Sequence, residues 1–247
     1  MQEPATVVPQ GYFAALGSFL FHYREALFPF ACLAVWLPGP RIFPYPLTAV
    51  GVGLVIAVIG QLLRIATIGL EYIVRGGKNR RVYAEDLVTS GVYAHCRNPM
   101  YVGNMLILAG VAVGSNSWTC VIVVVPLFTL AYMAIVAAEE QFLRNKFGLA
   151  FDEYCRRVPR WIPYGIGFGE TFRHGQFKWR RVLVKEYGTP FGWILGFSVL
   201  TLWHLYQLGE IAEQDELVQV VTTIVIVTIM VRLRVRHLKK TGRLVAD

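Results

Sequence analysis

The chain has 247 residues, of which 55% are hydrophobic and 16% are charged, and its formal net charge is +8. Soluble globular domains usually carry about 25% charged residues, so this composition indicates an integral membrane protein. A nucleic-acid partner is not expected, because the sequence contains no recognisable groove-reading or base-stacking module. We expect one membrane domain over residues 1–247 with membrane lipids as partners.

Six apolar stretches approach the roughly 20 residues that a helix needs to cross the hydrocarbon core. They lie at residues 17–37, 47–70, 100–115, 117–137, 189–208 and 217–233. Arg24 and Glu25 interrupt the first stretch, so an interfacial helix is an alternative there. The pattern predicts an all-α helical bundle of about six spans, in which the third and fourth form a hairpin that turns at residues 114–117.

Positive charge predicts how these spans are oriented. Most of the 24 lysines and arginines fall in residues 71–99, 138–189 and 232–247. Six crossings bring these segments to one side, and the positive-inside rule makes that side cytoplasmic, together with both termini. Residues 172–188 mix Phe and Trp with basic residues, which is typical of an interfacial amphipathic helix. No signal peptide is expected, because the N-terminus lacks a basic start.

The cysteine and histidine patterns do not predict a metal site or a disulfide framework. The four cysteines show no CxxC spacing, so reduced thiols are expected. The five histidines form no HxH or HExxH pair.

Two polar motifs flank the predicted hairpin. The first reads LVTSGVYAHCRNPMYVG, from Leu87 to Gly103, and the second reads EEQFLRNKFGLAFDEYCRRVPRWIP, from Glu139 to Pro163. Residues 100–138 between them carry no charge. Because polar groups at the ends of membrane helices are costly, a functional site is the default interpretation.

The first motif has two interpretations. Pro99 suits the first turn of a helix and Asn98 suits its N-cap. An ordinary helix start at the interface, with Tyr93 and Tyr101 as aromatic anchors, explains these features. It explains less well why Arg97, Asn98 and Tyr101 gather on one turn, which favours a site.

The second motif begins with Glu139 and Glu140, at the predicted cytoplasmic end of the fourth span. A solvated helix end is one interpretation of this pair. However, carboxylates at a helix C-terminus oppose the macrodipole, so a compensating ligand or basic partner is the alternative.

Together the motifs resemble the isoprenylcysteine carboxyl methyltransferase family of integral membrane methyltransferases. The family pattern is LVTSGVY, Arg-His-Pro-x-Tyr-x-Gly, an apolar hairpin, Glu-Glu, Phe-Gly, Tyr-x-x-Tyr and Val-Pro. The matching stretches here are LVTSGVY at 87–93, RNPMYVG at 97–103, Glu139-Glu140, Phe147-Gly148 and DEYCRRVP at 152–159. The core motif region is 78–164, and the helical pair at 189–235 looks like an addition to smaller family members.

The resemblance implies a cytoplasmic site for S-adenosylmethionine and a lipophilic acceptor that enters from the bilayer. It implies catalytic roles for Glu139, Tyr101 and Arg97. The cofactor contacts carried over by position are Lys78, Glu85, Asp86, Leu87, Val88, Tyr93, Asn98, Pro99, Met100, Tyr101 and Glu139. A carboxylate suits the cofactor's amino group, and tyrosine rings suit its sulfonium.

Two positions depart from the family pattern. Asn98 replaces the usual His, which keeps hydrogen-bonding capacity but removes a titratable group. Ile135 stands where prenylated-protein carboxyl methyltransferases carry a substrate-binding Arg, and Ile cannot hold a carboxylate. The hypothesis is that the acceptor is not a prenylcysteine carboxylate but a different amphiphile, such as a lipid amine.

Two other functions compete with the methyltransferase. Membrane sterol reductases, which use NADPH, share a similar Arg-His-Pro-x-Tyr-type motif, but they normally carry Asn where this chain has Met100. The third candidate is a catalytically silent membrane scaffold whose basic loop is only a docking surface.

Overall fold

The computed structural model describes residues 12–13, 15–23, 35–71, 84–211 and 213–245. These ranges are mostly helical and contain no β-strand, only an isolated bridge between Arg41 and Ser117. The predicted all-α fold is confirmed. Residues 24–34 of the first predicted span lie outside the described ranges.

We number the helices of the described chain α1 to α9. The described part of α1 comprises helical residues 12–13 and 15–23. The others are α2 (Pro46–Leu70), α3 (Pro99–Gly114), α4 (Trp118–Phe147), α5 (Leu149–Arg157), α6 (Phe168–His174), α7 (Trp179–Glu186), α8 (Gly188–Leu208) and α9 (Asp215–Lys240). A 3-10 turn, Gly91–Ala94, precedes α3.

Three of the described helices, α2, α4 and α9, are long and apolar enough to cross a membrane. Helix α3 is apolar but shorter. The helices α2, α3 and α8 match their predicted stretches to within one residue. The total of six spans remains a prediction.

Helix α4 continues well beyond its predicted end at residue 137. Glu139 and Glu140 therefore lie inside the helix, and the expected conflict between these carboxylates and the macrodipole was wrong. Arg144 and Lys146 occupy the last turn instead, where positive charge is favourable. Hydropathy marked the end of the apolar stretch, whereas the helix itself continues as a polar extension.

Glycines bring α2 and α3 into close antiparallel contact. A Cβ atom on Gly53 would lie 2.3 Å from the carbonyl oxygen of Gly110, and one on Gly60 would lie 2.6 Å from that of Gly103. The paired glycines are equally spaced on the two helices, so they form one seam. Small residues allow membrane helices to approach at backbone distance. This seam fixes the start of α3 against α2.

The hairpin turn between α3 and α4 falls at the predicted position. Asn116 adopts a left-handed conformation with φ of 56°. Its Oδ1 atom accepts hydrogen bonds from the backbone N–H groups of Ile42 and Phe43, at 3.1 and 2.8 Å, and its Nδ2 atom donates to the Phe43 carbonyl at 3.0 Å. The turn is therefore tied to the segment that precedes α2.

The predicted interfacial helix at 172–188 is divided between α6 and α7. The chain turns between them, where the Phe177 ring packs so closely on Gly69 that no Cβ would fit. Helix α7 exposes Trp179 and Leu183 but buries Val182 and Glu186. It therefore combines an exposed apolar side with a side that belongs to the core.

Candidate active site

The first turn of α3 begins the candidate site. Gly91 opens the preceding 3-10 turn with φ of 60°, and Tyr93 in this turn is buried, so it is not an exposed aromatic anchor. Asn98 occupies the N-cap position and Pro99 the first helical position, as predicted. The Asn98 side chain, however, makes no capping bond. Its amide points to another partner.

A short hydrogen bond joins the two motifs across the hairpin. Tyr101 Oη donates to Glu139 Oε1 at 2.6 Å, and both residues are half-buried. The Tyr101 ring also lies 5.5 Å from the Tyr132 ring, centroid to centroid. Residues that are far apart in sequence thus share one site at the base of α3 and α4.

Glu140 is the centre of a charged cluster next to this pair. Its Oε1 atom accepts from Asn98 Nδ2 at 3.3 Å and from Arg160 Nε at 3.2 Å. Ion pairs connect the carboxylate to Arg97 at 3.4 Å and to Arg160 Nη2 at 3.2 Å. The basic partner expected for the Glu pair is therefore present, and it is bound to Glu140.

The clasp loop, which we define as residues 158–164, closes over the turn before α3. The Arg97 N–H donates to the Pro159 carbonyl at 2.9 Å, and the Tyr164 N–H donates to the His95 carbonyl at 3.1 Å. Asn98 Nδ2 also donates to the Arg160 carbonyl at 3.2 Å. Backbone and side-chain bonds together hold the loop in place.

Two buried groups hold the clasp loop and the 3-10 turn in place. Cys96 Sγ lies 3.3 Å from the Trp161 carbonyl, and Tyr154 Oη donates to the Tyr93 carbonyl at 2.7 Å. Burial raises the pKa of the Cys96 thiol to about 11. Burial also raises the pKa of the Tyr154 hydroxyl. Both groups remain protonated near neutral pH and act as structural donors.

The segment before the 3-10 turn lies against the ends of α4 and α5. Leu87 packs on the buried side chains of Phe151 and Tyr154. Lys146 Nζ donates to the carbonyl oxygens of Ala84 and Glu85. The predicted contacts of this segment differ in exposure: Glu85 and Asp86 are exposed, whereas Leu87 and Val88 are half-buried.

The structure gathers most of the predicted site residues at one end of the α3–α4 hairpin. Met100 is also there, but its side chain packs with Ile68 and Val182 in a buried cluster. Lys78, the remaining predicted contact, lies outside the described residues.

Arg97 has a donor with no partner in the described part of the chain. Its Nη1 atom contacts Cys155 Sγ and lies near Glu140. Its Nε atom is buried without a hydrogen-bond partner, and no other buried side-chain nitrogen or oxygen among the described residues shares this condition. Such groups are destabilising, so an anionic ligand group is a suitable partner.

Ile135 lies in an apolar cluster immediately before Glu139 on α4. It is 2% exposed and packs with Phe21 of α1 and Tyr132. Tyr101 and Met105 of α3 border the same cluster. The position that differs from the family pattern is therefore surrounded by apolar side chains.

Sequence reasoning missed a buried ion pair between α2 and α7. Arg64 Nε lies 2.6 Å from Glu186 Oε1, and Arg64 Nη2 lies 2.9 Å from Glu186 Oε2. Their side chains are 5% and 2% exposed. A signal was available, because an arginine inside the apolar stretch 47–70 is expensive in a membrane. Its partner was not recognisable, since Glu186 lies in a segment interpreted as interfacial.

Polar neighbours complete this ion pair. Gln61 Nε2 donates to Glu186 Oε1 at 3.0 Å, and Trp193 Nε1 donates to Gln61 Oε1 at 2.9 Å. Arg64 also donates to Thr189 Oγ1 at 3.0 Å. The charged groups are therefore paired and hydrogen-bonded, as buried charges must be.

Two further features lie outside this site. A cavity of about 670 Å³ occurs at the opposite end of the α3–α4 hairpin and is lined in part by Trp36, Arg41, Trp203 and His204. It is distant from the motif residues, so we do not assign the chemistry to it. Within the described ranges, no group of three or more His, Cys, Asp or Glu residues is arranged to hold a metal ion.

The helical membrane fold and the joined motifs define the class of an integral membrane methyltransferase. The family model for phospholipid methyltransferases matches residues 41–150, which contain α2, α3 and α4. The chain belongs to this family, which includes the isoprenylcysteine O-methyltransferases. It is therefore an enzyme that transfers methyl groups.

The proteins similar to this chain include a metal resistance protein and isoprenylcysteine O-methyltransferases. The chain is 32% identical over 205 residues to the cobalt-zinc-cadmium resistance protein CzcN of Cupriavidus metallidurans, covering 78% of this chain and 86% of CzcN. It is 31% identical over 123 residues to protein-S-isoprenylcysteine O-methyltransferase B of Arabidopsis thaliana, covering 45% of this chain and 58% of that protein. The mouse protein-S-isoprenylcysteine O-methyltransferase is 32% identical over 117 residues, covering 45% and 40%. No solved structure gives a significant match.

Proposed function

We propose that this membrane methyltransferase uses S-adenosylmethionine and methylates a lipid-borne acceptor at the base of α3 and α4. The observation that carries the proposal is the 2.6 Å hydrogen bond between Tyr101 and Glu139, next to the Glu140 cluster. It joins the two motifs that sequence resemblance assigns to cofactor binding.

The residues at this point fit the chemical groups of the cofactor. The buried, unpartnered Nε–H of Arg97 suits a carboxylate, because a charged donor binds an anion strongly. The Glu139 carboxylate suits an ammonium group, and the faces of Tyr101 and Tyr93 suit a sulfonium. Backbone groups of the half-buried Leu87 and Val88 suit the edge of an adenine ring.

When bound, S-adenosylmethionine supplies a methyl group that its positively charged sulfur activates. The chain's own residues then bind and orient the reactants, since alignment can supply about 7–11 kcal/mol of the barrier. The apolar cluster of Ile135, Tyr132 and Phe21 excludes water beside Glu139. The clasp loop covers the turn that carries Asn98.

The nucleophile that we propose is the neutral amine of a phospholipid. Ile135 and its apolar neighbours offer no cation for an acceptor carboxylate. An amine must lose its proton before it attacks, and the Glu139 carboxylate, oriented by Tyr101, is placed to take that proton. The phospholipid methyltransferase match supports such an acceptor. The isoprenylcysteine relatives make a prenylcysteine carboxylate the competing acceptor.

Charge supports a cytoplasmic position for this site. The clasp loop and α6–α7 belong to the most basic part of the chain, and the positive-inside rule favours the cytoplasm for such segments. The proposed topology puts the hairpin turn at Asn116 on the opposite side of the membrane.

Calorimetric titration of the purified protein tests the cofactor. We expect binding of S-adenosylmethionine and S-adenosylhomocysteine, and we expect Glu139→Gln to weaken both. NADPH binding without binding of either sulfur compound would instead support a reductase, and failure of all three to bind would support a scaffold. His204→Ala, a substitution at the other end of the hairpin, is the control for general damage.

Mass spectrometry of reconstituted vesicles tests the acceptor. Vesicles that contain phosphatidylethanolamine should yield N-methylated lipid in the presence of S-adenosylmethionine. A farnesylcysteine analogue in matched vesicles should remain unmethylated. The opposite pattern would retain the methyltransferase but overturn the amine acceptor.

A further inference from the structure

The Arg64–Glu186 pair lies directly behind the first turn of α3. Arg64 Nη1 is 3.5 Å from the carbonyl oxygen of Met100. The same atom donates to Oδ1 of Asn104, one turn further along α3. Because Tyr101 belongs to this turn, the buried guanidinium touches the element that carries the Tyr101–Glu139 bond.

A second contact links the same elements independently. The Met100 side chain packs with Ile68 of α2 and Val182 of α7. Val182 and Glu186 lie one helical turn apart on the buried side of α7. Helix α7 therefore contacts the Met100 side chain directly and the Met100 main chain through Arg64.

We infer that Glu186 is a positioning residue, which acts through Arg64 to hold the first turn of α3 in the orientation that binds the methyl donor. The inference rests on the proposed function. Glu186 lies beyond residues 41–150, the part that matches the family model. Helix α7, which lies between the core motif region 78–164 and the helical pair at 189–235, would thus contribute directly to the geometry of the site.

The chemistry of the pair explains why it can impose an orientation. An Arg–carboxylate pair with two parallel bonds fixes both groups in one plane, and the remaining Arg64 donor is then directed at α3. If Glu186 loses its charge, the guanidinium is left buried without a counter-ion and must change its contacts. The turn at Met100 would lose its support from behind.

The experiment uses the full chain in lipid nanodiscs and compares Glu186→Gln with the wild type. We expect the affinity for S-adenosylhomocysteine to fall about tenfold, by analogy with the roughly 10- to 100-fold losses that follow removal of a group that orients a metal ligand. In the protein without added ligand, we expect faster hydrogen–deuterium exchange of the backbone amides of residues 100–104. Both results are binding or dynamic measurements and need no turnover.

Two further variants separate positioning from stability. Arg64→Met combined with Glu186→Leu removes both charges, so it should restore the melting temperature but not the affinity or the slow exchange. His204→Ala breaks the buried 3.0 Å bond to the Gly114 carbonyl at the far end of α3. It should lower the melting temperature while leaving the affinity and the exchange of residues 100–104 unchanged.

The outcomes distinguish this inference from the proposed function. Wild-type affinity and wild-type exchange in Glu186→Gln would overturn the inference, as would full recovery of affinity in the double variant. If the wild type does not bind S-adenosylhomocysteine, the proposed function fails. Exchange in the ligand-free protein then still decides whether Glu186 holds the turn.

Discussion

Two arginine–carboxylate clusters of similar chemistry lie in different environments of this enzyme. Glu140, with Arg97 and Arg160, joins the clasp loop to the turn before α3, and their side chains are 13%, 15% and 32% exposed. The Arg64–Glu186 pair lies between α2 and α7, and its side chains are 5% and 2% exposed. Water and salt can reach the first cluster from the side of Arg160, whereas the second cluster is shielded from both.

The difference shows that ion pairs of the same chemistry can either hold a loop or support a helix. The Glu140 cluster holds a loop at the edge of the site, where partial exposure of Arg160 allows solvent to weaken its ion pair with Glu140. The Arg64–Glu186 pair is strongly coupled to its surroundings, because both side chains are too buried for water to replace a lost partner. The first is suited to adjustment around a ligand, and the second is suited to rigid support.

Removal of Arg64 alone should give the largest effect. Arg64→Met leaves Glu186 buried without its cation, so we expect a loss of about 3–5 kcal/mol in stability. Thermal unfolding in detergent checks this through a lowered melting temperature. The double variant Arg64→Met/Glu186→Leu should be more stable than the single variant. Equal instability of the two would show that charge burial is not the cause.

A substitution in the α2–α3 glycine seam tests whether close helix packing maintains the region around the Arg64–Glu186 pair. Gly53→Ala puts a Cβ atom 2.3 Å from the Gly110 carbonyl oxygen, so the helices must separate. We expect the free energy of unfolding to fall by about 1–3 kcal/mol, which is typical of overpacking. Gly51→Ala is the matched control on the same helix, since its Cβ would meet nothing within 4 Å. A loss in both variants would point to a backbone effect instead.

Tyr101→Phe tests the bond between the two motifs. A hydrogen bond to a charged group contributes about 1.5–3 kcal/mol, so we expect kcat/KM for methyl transfer to fall about 10- to 100-fold. Steady-state assays with S-adenosylmethionine check this value. Tyr206→Phe, at an exposed position on α8, should leave the rate unchanged. An unchanged rate in Tyr101→Phe would contradict the proposed role.

Glu140→Gln tests the partly exposed Glu140 cluster and should have a smaller effect. The substitution removes the charge that holds Arg97 and Arg160, so we expect affinity for S-adenosylhomocysteine to fall about fivefold, equivalent to roughly 1 kcal/mol. Calorimetry at low and high salt provides the comparison. The difference in affinity between Glu140→Gln and the wild type should narrow at high salt, whereas the loss of stability in Arg64→Met should persist. If salt changed the affinity defect of Glu140→Gln and the stability defect of Arg64→Met equally, the two clusters would not differ in solvent access.

The smallest effect that we predict concerns Cys96 at alkaline pH. Burial raises the pKa of its thiol from 9.0 to about 11, so between these values the unfolded chain releases the proton while the folded chain keeps it. Stability therefore decreases as pH rises through this window. Thermal unfolding across this range should show a steeper decrease for the wild type than for Cys96→Ala. Identical slopes would contradict the role assigned to burial.

The sequence predicted which residues meet at the candidate site better than it predicted the helix end and the loop contacts that hold them. Motif spacing correctly indicated that Tyr101 and Glu139 lie near one hairpin base, because antiparallel helices joined by a short turn must bring these residues together. It misjudged the end of α4, since hydropathy detects where apolar side chains stop rather than where backbone hydrogen bonding stops. It did not identify Arg160 as the partner of Glu140, because loop geometry decides that contact.

The chain by itself determined its membrane class, the positions of α2, α3 and α8 and the methyltransferase motifs, because these depend on local composition and short spacing. Only the tertiary structure decided that Arg64 pairs with Glu186, a contact between residues 122 positions apart. No local pattern encodes such a pair. An arginine in an apolar stretch requires a partner, but the sequence does not show which residue that partner is. The packing of α7 against α2 and α3 supplies that partner.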